Sequence, residues 1–256
     1  MQRSNRSLMR PLALAAALLA LPAAGWPAHA LAFPGFEAVQ GSGHAVTEER
    51  AVSGFHGISV SLPAHVVILQ GKEERATVTA DDNVLPKLLT NVSGGVLELR
   101  FREAVSVRTR TPIEITVRAR SIDRIAIAGA AKVEAPRLEG ERLLANLSGS
   151  TQLVLPGLAL GRLSIHSSGH THALAIGRVD ALDLDIDGAG EINAVRLDAK
   201  RADISISGSA KVVAWVRDAL RVQVSGSGLV SYFGDPAVEK SVSGSAVVAR
   251  MGSAPP

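Results

Sequence analysis

Short stretches of alternating apolar and polar residues recur along the second half of the chain, and each one runs into a glycine. In ISISGSAKVV, Ile204 and Ile206 alternate with serines up to Gly208, and the apolar positions resume at Val212. A period of two is typical of a strand with one buried face. Each unit therefore predicts a strand, a sharp corner at the glycine and a second strand.

The corner glycines follow one another at intervals of 18 to 20 residues. A fixed period of this length indicates a repeat architecture, and near-identical corners are explained best if they all lie along one edge. The pattern predicts an all-β fold, a single-stranded right-handed parallel β-helix (solenoid) with about 18–20 residues per coil. Its structural corners are expected at Gly129, Gly149, Gly169, Gly188, Gly208, Gly226 and Gly244.

The pattern is less regular over residues 47–120, as expected for an atypical portion that caps a repeat. Strands are predicted on either side of Pro63 and at RATVTA and PIEITVRA. The stretch KLLTNVSGGVLELRF predicts a hairpin that turns at Gly94 and Gly95. The serines beside the corner glycines are expected to bond nearby backbone groups, because a nucleophile is not needed once per coil.

The first thirty residues have the pattern of a secretory signal peptide. Arginines in MQRSNRSLMR precede the apolar run PLALAAALLALPAAG, and AHA supplies small residues for cleavage. We expect a signal peptide (residues 1–30), a flexible lead-in (31–44), a single β-helix domain (45–252) and a tail (253–256). The protein is thus expected to be exported, to the periplasm, the cell surface or the medium of a Gram-negative-type bacterium, with no membrane span after signal removal.

Charge, cysteine content and aromatic content limit which binding partners and which stabilising bonds are expected. The chain has 27 basic and 24 acidic residues, and three of the basic and none of the acidic ones lie in residues 1–30, which leaves 24 of each. This balance gives no electrostatic case for nucleic acid or an anionic membrane as partner. There are no cysteines, so the fold must be disulfide-free and stabilised by its core. Aromatic residues make up only 3% of the chain, which argues against an aromatic sugar-binding cleft.

Two stretches and the Ser-Gly-Ser corners resemble a known family. The stretches are VSGFHGISVSLPAHVVILQGKEERATVTADDNVLPKLLTNVSGGVLELR (residues 52–100) and YFGDPAVEKSVSGSAVVARM (residues 232–251). They resemble the putative auto-transporter adhesin head GIN domain family of bacterial exported proteins. The resemblance implies a fold similar to single-stranded right-handed β-helices. It implies no catalytic activity, so there are no catalytic residues to carry over.

One polar cluster is expected near the middle of the repeat. Alignment on the corner glycines places His166 beside Asp185, and places Glu191 beside both His172 and Lys211. The candidate residues are His166, His170, His172, Asp185, Asp187 and Glu191. Asp183 is their neighbour.

Three interpretations of this polar cluster are open. Imidazole and carboxylate groups suit Zn²⁺ or Cu²⁺, and DLDIDG matches the opening of a Ca²⁺ loop, although Ala194 stands where that loop needs a glutamate. The favoured interpretation is a solvated corner with cross-strand His–acid pairs. No metal, cofactor or catalytic residue is therefore expected.

The composition, the repeat and the resemblance together predict a non-enzymatic exported envelope or cell-surface binding module, adhesin-like, with an envelope protein or a polysaccharide as partner. One alternative is a polysaccharide-active enzyme that uses Asp183, Asp185 and Asp187 as acids. Another is a structural or oligomeric envelope protein, because the open end of the coils leaves an unpaired edge where SAVVAR could pair with a second copy.

Overall fold

The computed structural model describes residues 37–255, which form an all-β fold with one short 3₁₀ helix, Leu85–Lys87, in that part of the chain. No helix within residues 37–255 has the length and apolarity needed to cross a membrane. The strands are β1 (Glu37–Gln40), β2 (Ala45–Arg50), β3 (Gly57–Ser61), β4 (Ala64–Gln70), β5 (Arg75–Asp81), β6 (Leu88–Ser93), β7 (Val96–Phe101), β8 (Val105–Arg108), β9 (Ile113–Ala119), β10 (Arg124–Gly129), β11 (Lys132–Glu134), β12 (Leu138–Gly226), β13 (Leu229–Phe233), β14 (Ala237–Gly244) and β15 (Val247–Gly252).

Thirteen of these strands form one mixed sheet, and β1 and β8 form a separate parallel pair. The order across the large sheet is β2-β5-β9-β4-β11-β12-β10-β3-β7-β6, with β13, β14 and β15 attached through β12 and β13. The sheet curls around a single hydrophobic core. Strand β12 turns at its glycines, and successive turns stack closely, since a Cβ built on Gly169 would lie only 2.6 Å from the carbonyl oxygen of Gly149.

The predicted fold class, a parallel β-helix over residues 45–252, is wrong because the sheet is mixed. Antiparallel pairs join β2 to β5, β5 to β9, and β6 to β7. Parallel pairs join β10 to β12, where Gly129 faces Gly149, and β12 to β14, where Gly226 faces Gly244. The glycine period predicts strand direction only for the part of the chain that contains it, from Gly129 onward. Before Gly129 the tight turn at Gly94 and Gly95 makes β6 and β7 antiparallel neighbours, and β5 pairs antiparallel with strands that are distant in sequence.

The local predictions for the irregular portion are confirmed. Strands β3 and β4 flank Pro63, β5 contains RATVTA, and β9 contains all of PIEITVRA except its proline. The predicted hairpin is the antiparallel pair of β6 and β7, in which Ser93 faces Val96 across Gly94 and Gly95. Both of these glycines have positive φ, +56° and +76°, a conformation that costs glycine little.

The predicted signal peptide (residues 1–30) lies outside the described residues, and the predicted lead-in (31–44) is described from Glu37 onward. Within that part, β1 pairs with β8, so that Glu37 faces Val105. The tail follows the end of β15 at Gly252.

Hydrogen bonds to Asp81 hold the segment between β1 and β2 against the rest of the fold. Its carboxylate is fully buried and accepts hydrogen bonds from the backbone N–H groups of Gly43 and Arg110, each at 2.9 Å, and from the Thr111 hydroxyl at 2.8 Å. Burial acts to raise the pKa of Asp81, but the hydrogen bonds from Arg110, Thr111 and Gly43 hold that pKa below its ordinary value. The ionised carboxylate is therefore the form that stabilises this junction.

Candidate functional site

The corner glycines separate two sets of outward-facing side chains. All seven have positive φ, from +94° at Gly129 to +151° at Gly188. Side chains before a corner lie on one side of the molecule and side chains after it lie on another, because the chain changes direction at the glycine. The predicted polar cluster extends across this corner, and the structure divides it into three groups.

His166, Asp185 and Asp187 form the group before the corner. The Nδ1 atom of His166 lies 3.5 Å from Oδ2 of Asp185, and both side chains are about half exposed. Asp187 lines the same shallow depression of about 270 Å³. This is a solvated cross-strand pair in which solvent weakens the attraction.

Asp183 lies in a different groove, of about 520 Å³. Its Oδ2 accepts hydrogen bonds from Nη1 of Arg162 at 2.7 Å and from the Ser164 hydroxyl at 3.0 Å. Further along this groove Arg221 pairs with Glu239 at 3.1 Å. The carboxylates of this groove are thus occupied by arginines from neighbouring turns.

The third group, after the corner, holds His170, His172 and Glu191. The Nε2 atoms of the two histidines lie 3.2 Å apart, with their rings edge to face. Glu191 pairs with Nζ of Lys211 at 2.9 Å, and this hydrogen bond, the Lys211 charge and nearby His172 lower the pKa of Glu191. No group of three or more histidines, aspartates or glutamates within residues 37–255 is arranged to hold a metal ion.

Sequence reasoning missed one further histidine near this third group. His65 on β4 faces Lys132 on β11, and its Nε2 lies 3.5 Å from Oε2 of Glu134. The hydrogen bond from Lys132, together with its charge and that of His65, lowers the pKa of Glu134. His65 and His172 line the same open groove of about 570 Å³. The 20-residue period could not reveal this, because β4 lies outside the repeat.

Sequence reasoning also missed an apolar outward face. Around Trp215, the residues Val212, Ala214 and Val216 are buried, so Val213 and Trp215 between them point outward and are half-buried. The position seven residues after the corner glycine is also apolar in the adjacent turns, whereas the position five residues after it is apolar in some turns and polar at Asn193 and Ser231. This apolar face comprises Val154, Leu174, Ile176, Val195, Val213, Trp215 and Phe233, all half-buried. The detectable signal was the unbroken apolar run VVAWV, which does not alternate as a solvated face should.

The mixed sheet, the single core and the paired surface charges define the protein as an all-β domain with a solvent-facing apolar surface. The chain belongs to the family described as putative auto-transporter adhesin, head GIN domain, whose model matches residues 54–236. The resemblance seen in the sequence is thereby confirmed.

Several solved structures share this fold. A protein described as a putative adhesin from Bacteroides fragilis superposes with a TM-score of 0.75 at 21% identity, over 84% of this chain and 99% of that one. A protein described as a putative lipid binding protein from Parabacteroides distasonis gives a TM-score of 0.71 at 23% identity, over 84% of this chain and 100% of that one. A protein described as a putative adhesin from Parabacteroides merdae gives 0.60 at 21% identity, over 84% and 99%. None of the curated proteins matches the chain.

Proposed function

We propose that this protein is a non-enzymatic, exported module of the bacterial envelope or cell surface, and that it binds a partner protein through the apolar face. The observation that carries the proposal is the outward direction of Trp215 and its apolar neighbours, whose side chains stay partly accessible to solvent. Contiguous exposed apolar surface on a folded domain marks an interaction site.

The composition of the apolar face favours a protein over a polysaccharide. Trp215 faces Phe233 across the β12–β13 pair, and the other members are aliphatic. Charged pairs border the face, with Lys211 bound to Glu191 on one side and Arg217 bound to Asp198 at 2.9 Å on the other. An apolar centre that contains tryptophan, with a polar rim, is the usual arrangement of a protein–protein interface.

A binding role also agrees with the state of the carboxyl groups. A polysaccharide-cleaving enzyme needs a carboxylic acid that stays protonated near neutral pH. The carboxyl groups whose pKa values are shifted are all shifted downward: Asp81, Glu134, Asp180 and Glu191. Asp183, one of the acids of the enzymatic alternative, is bound by Arg162.

Export is part of the proposal. The basic and apolar pattern of residues 1–30 supports it, as does membership of the family described as putative auto-transporter adhesin, head GIN domain. We place the mature protein in the periplasm or at the cell surface of a Gram-negative-type bacterium.

The test begins with a photo-reactive amino acid placed at position 213 on the apolar face or, as control, at position 46. Val46 is 43% exposed on β2 and lies outside the face. An envelope protein that crosslinks at position 213 alone is then purified and its affinity is measured. Trp215→Ala should weaken binding at least about 30-fold, the effect of a hot-spot residue worth about 2 kcal/mol, and Val46→Ser should leave it unchanged. Val213→Ser serves as a second variant on the face.

Two results would overturn the proposal. The first is equal affinity of the wild type and the Trp215→Ala variant for the crosslinked protein. The second is the absence of any protein crosslinked at position 213 while the mature protein floats with protein-free lipid vesicles. In that case the blue shift of Trp215 fluorescence, the sole tryptophan signal once residues 1–30 are removed, would identify lipid as the ligand of the face.

A further inference from the structure

The histidine pair after the corner has the geometry of a metal chelate. The two Nε2 atoms of His170 and His172 lie 3.2 Å apart and approach each other. Zinc–imidazole bonds are about 2.0–2.1 Å long. Two nitrogens at this separation, each bonded to one ion at that length, subtend about 100° at the metal, close to the tetrahedral angle. We propose that His170 and His172 bind a divalent transition-metal ion such as Zn²⁺ through their Nε2 atoms.

The position of the pair along the strand explains this geometry. Residues two apart on a strand point to the same side, and Thr171 between them is buried. Gly169 forms the corner immediately before, with φ +116°. Both imidazoles therefore project from the same side of one turn, and the ion needs no contribution from a distant part of the chain.

The surroundings leave room for the remaining ligands. His170 and His172 are exposed and border open grooves on both sides, of about 570 and 670 Å³. Zinc is usually four-coordinate, so two positions remain for water or for a ligand atom of a partner. Glu191, the acid in this group, is held by Lys211. The site is therefore a two-histidine site completed by solvent, weaker than a structural site with four protein ligands.

The structure also separates this pair from the rest of the predicted cluster. His166 lies before the corner and pairs with Asp185, so it cannot share an ion with His170 and His172 without breaking the turn. This separation supplies a matched control, a second exposed histidine close in sequence that should not contribute.

The test is isothermal titration of ZnCl₂ into the mature, tag-free protein, with melting temperature as a second readout, since a ligand of the native state raises it. The wild type should bind one Zn²⁺ per chain. His170→Ala and His172→Ala should each weaken binding at least tenfold, and His166→Ala should leave it unchanged. His170→Gln and His172→Gln keep the surface polar and should give the same loss. Absence of saturable binding up to 1 mM Zn²⁺, or an equal loss in His166→Ala, would overturn the assignment.

Discussion

An alanine in place of Gly208 tests whether successive turns of β12 are held in backbone-to-backbone contact. A Cβ at this position would lie 2.4 Å from the carbonyl oxygen of Gly188, and the backbone there has φ +139°. The atom that it would meet belongs to the backbone, so no side-chain rotation relieves the clash. Gly129 is the matched control, because its φ is +94° but a Cβ there has no neighbour within 4 Å. The control carries the backbone strain without the clash.

The two substitutions should therefore differ by the cost of the clash. A non-glycine residue at such a φ costs about 1–3 kcal/mol at either position. Displacing a packed neighbour to admit an extra methyl group adds about 1–3 kcal/mol at Gly208. Gly129→Ala should thus lower the free energy of unfolding by about 1–3 kcal/mol and Gly208→Ala by about 2–6 kcal/mol.

Urea denaturation of the mature protein, followed by circular dichroism, measures both values. The slopes of the unfolding transitions must agree with the wild type for the free energies to be comparable. If Gly208→Ala destabilises the protein no more than Gly129→Ala, the turns have room for a side chain, and the close stacking at the corners does not hold in solution.

Two further substitutions probe the ends of the fold. Asp81→Asn should destabilise the protein at pH 7. Because folding lowers the pKa of Asp81, the difference in free energy of unfolding between the wild type and this variant should shrink as the pH falls below the ordinary pKa of 3.8. An equal difference in urea midpoint at pH 7 and at pH 3 would contradict this. Lys240 on β14 faces the buried Val222 and lies between the exposed Val238 and Val242, so it interrupts an apolar edge that could pair with a second copy. Lys240→Val should therefore cause concentration-dependent self-association in light scattering, and a variant that stays monomeric at high concentration would show that Lys240 does not protect the edge.

The sequence predicted the strands well and the sheet topology only in part. Period-two alternation identified strands on both sides of Pro63 and the hairpin at Gly94, because alternation is a local property of a half-buried strand. Strand direction is not local. The partners of β5 are β2 and β9, more than 20 residues away in either direction, and nothing in RATVTA distinguishes an antiparallel from a parallel neighbour.

At the candidate site, too, the sequence predicted some contacts correctly and missed how the residues are arranged in space. Alignment on the glycines placed His166 beside Asp185 and Glu191 beside Lys211, and both pairs are in contact in the structure. The alignment did not show that the corner divides the cluster, because it compared turns with each other and ignored the change of direction within one turn. The apolar face was missed for a related reason, since it becomes visible only when Trp215 is compared with the residues at its position in other turns.

The stacking of turns also explains which surface features are left free to bind. An interval of about 20 residues brings opposite charges into contact between turns, as with Lys211 and Glu191 at 2.9 Å or Arg162 and Asp183 at 2.7 Å. Exposed pairs of this kind contribute about 0–1 kcal/mol each, so their main effect is to neutralise the surface. The histidine pair bonds within one turn, and the apolar face has no charges to pair. These two features are therefore separate from the charge pairs between turns, and both remain available to an ion or a partner.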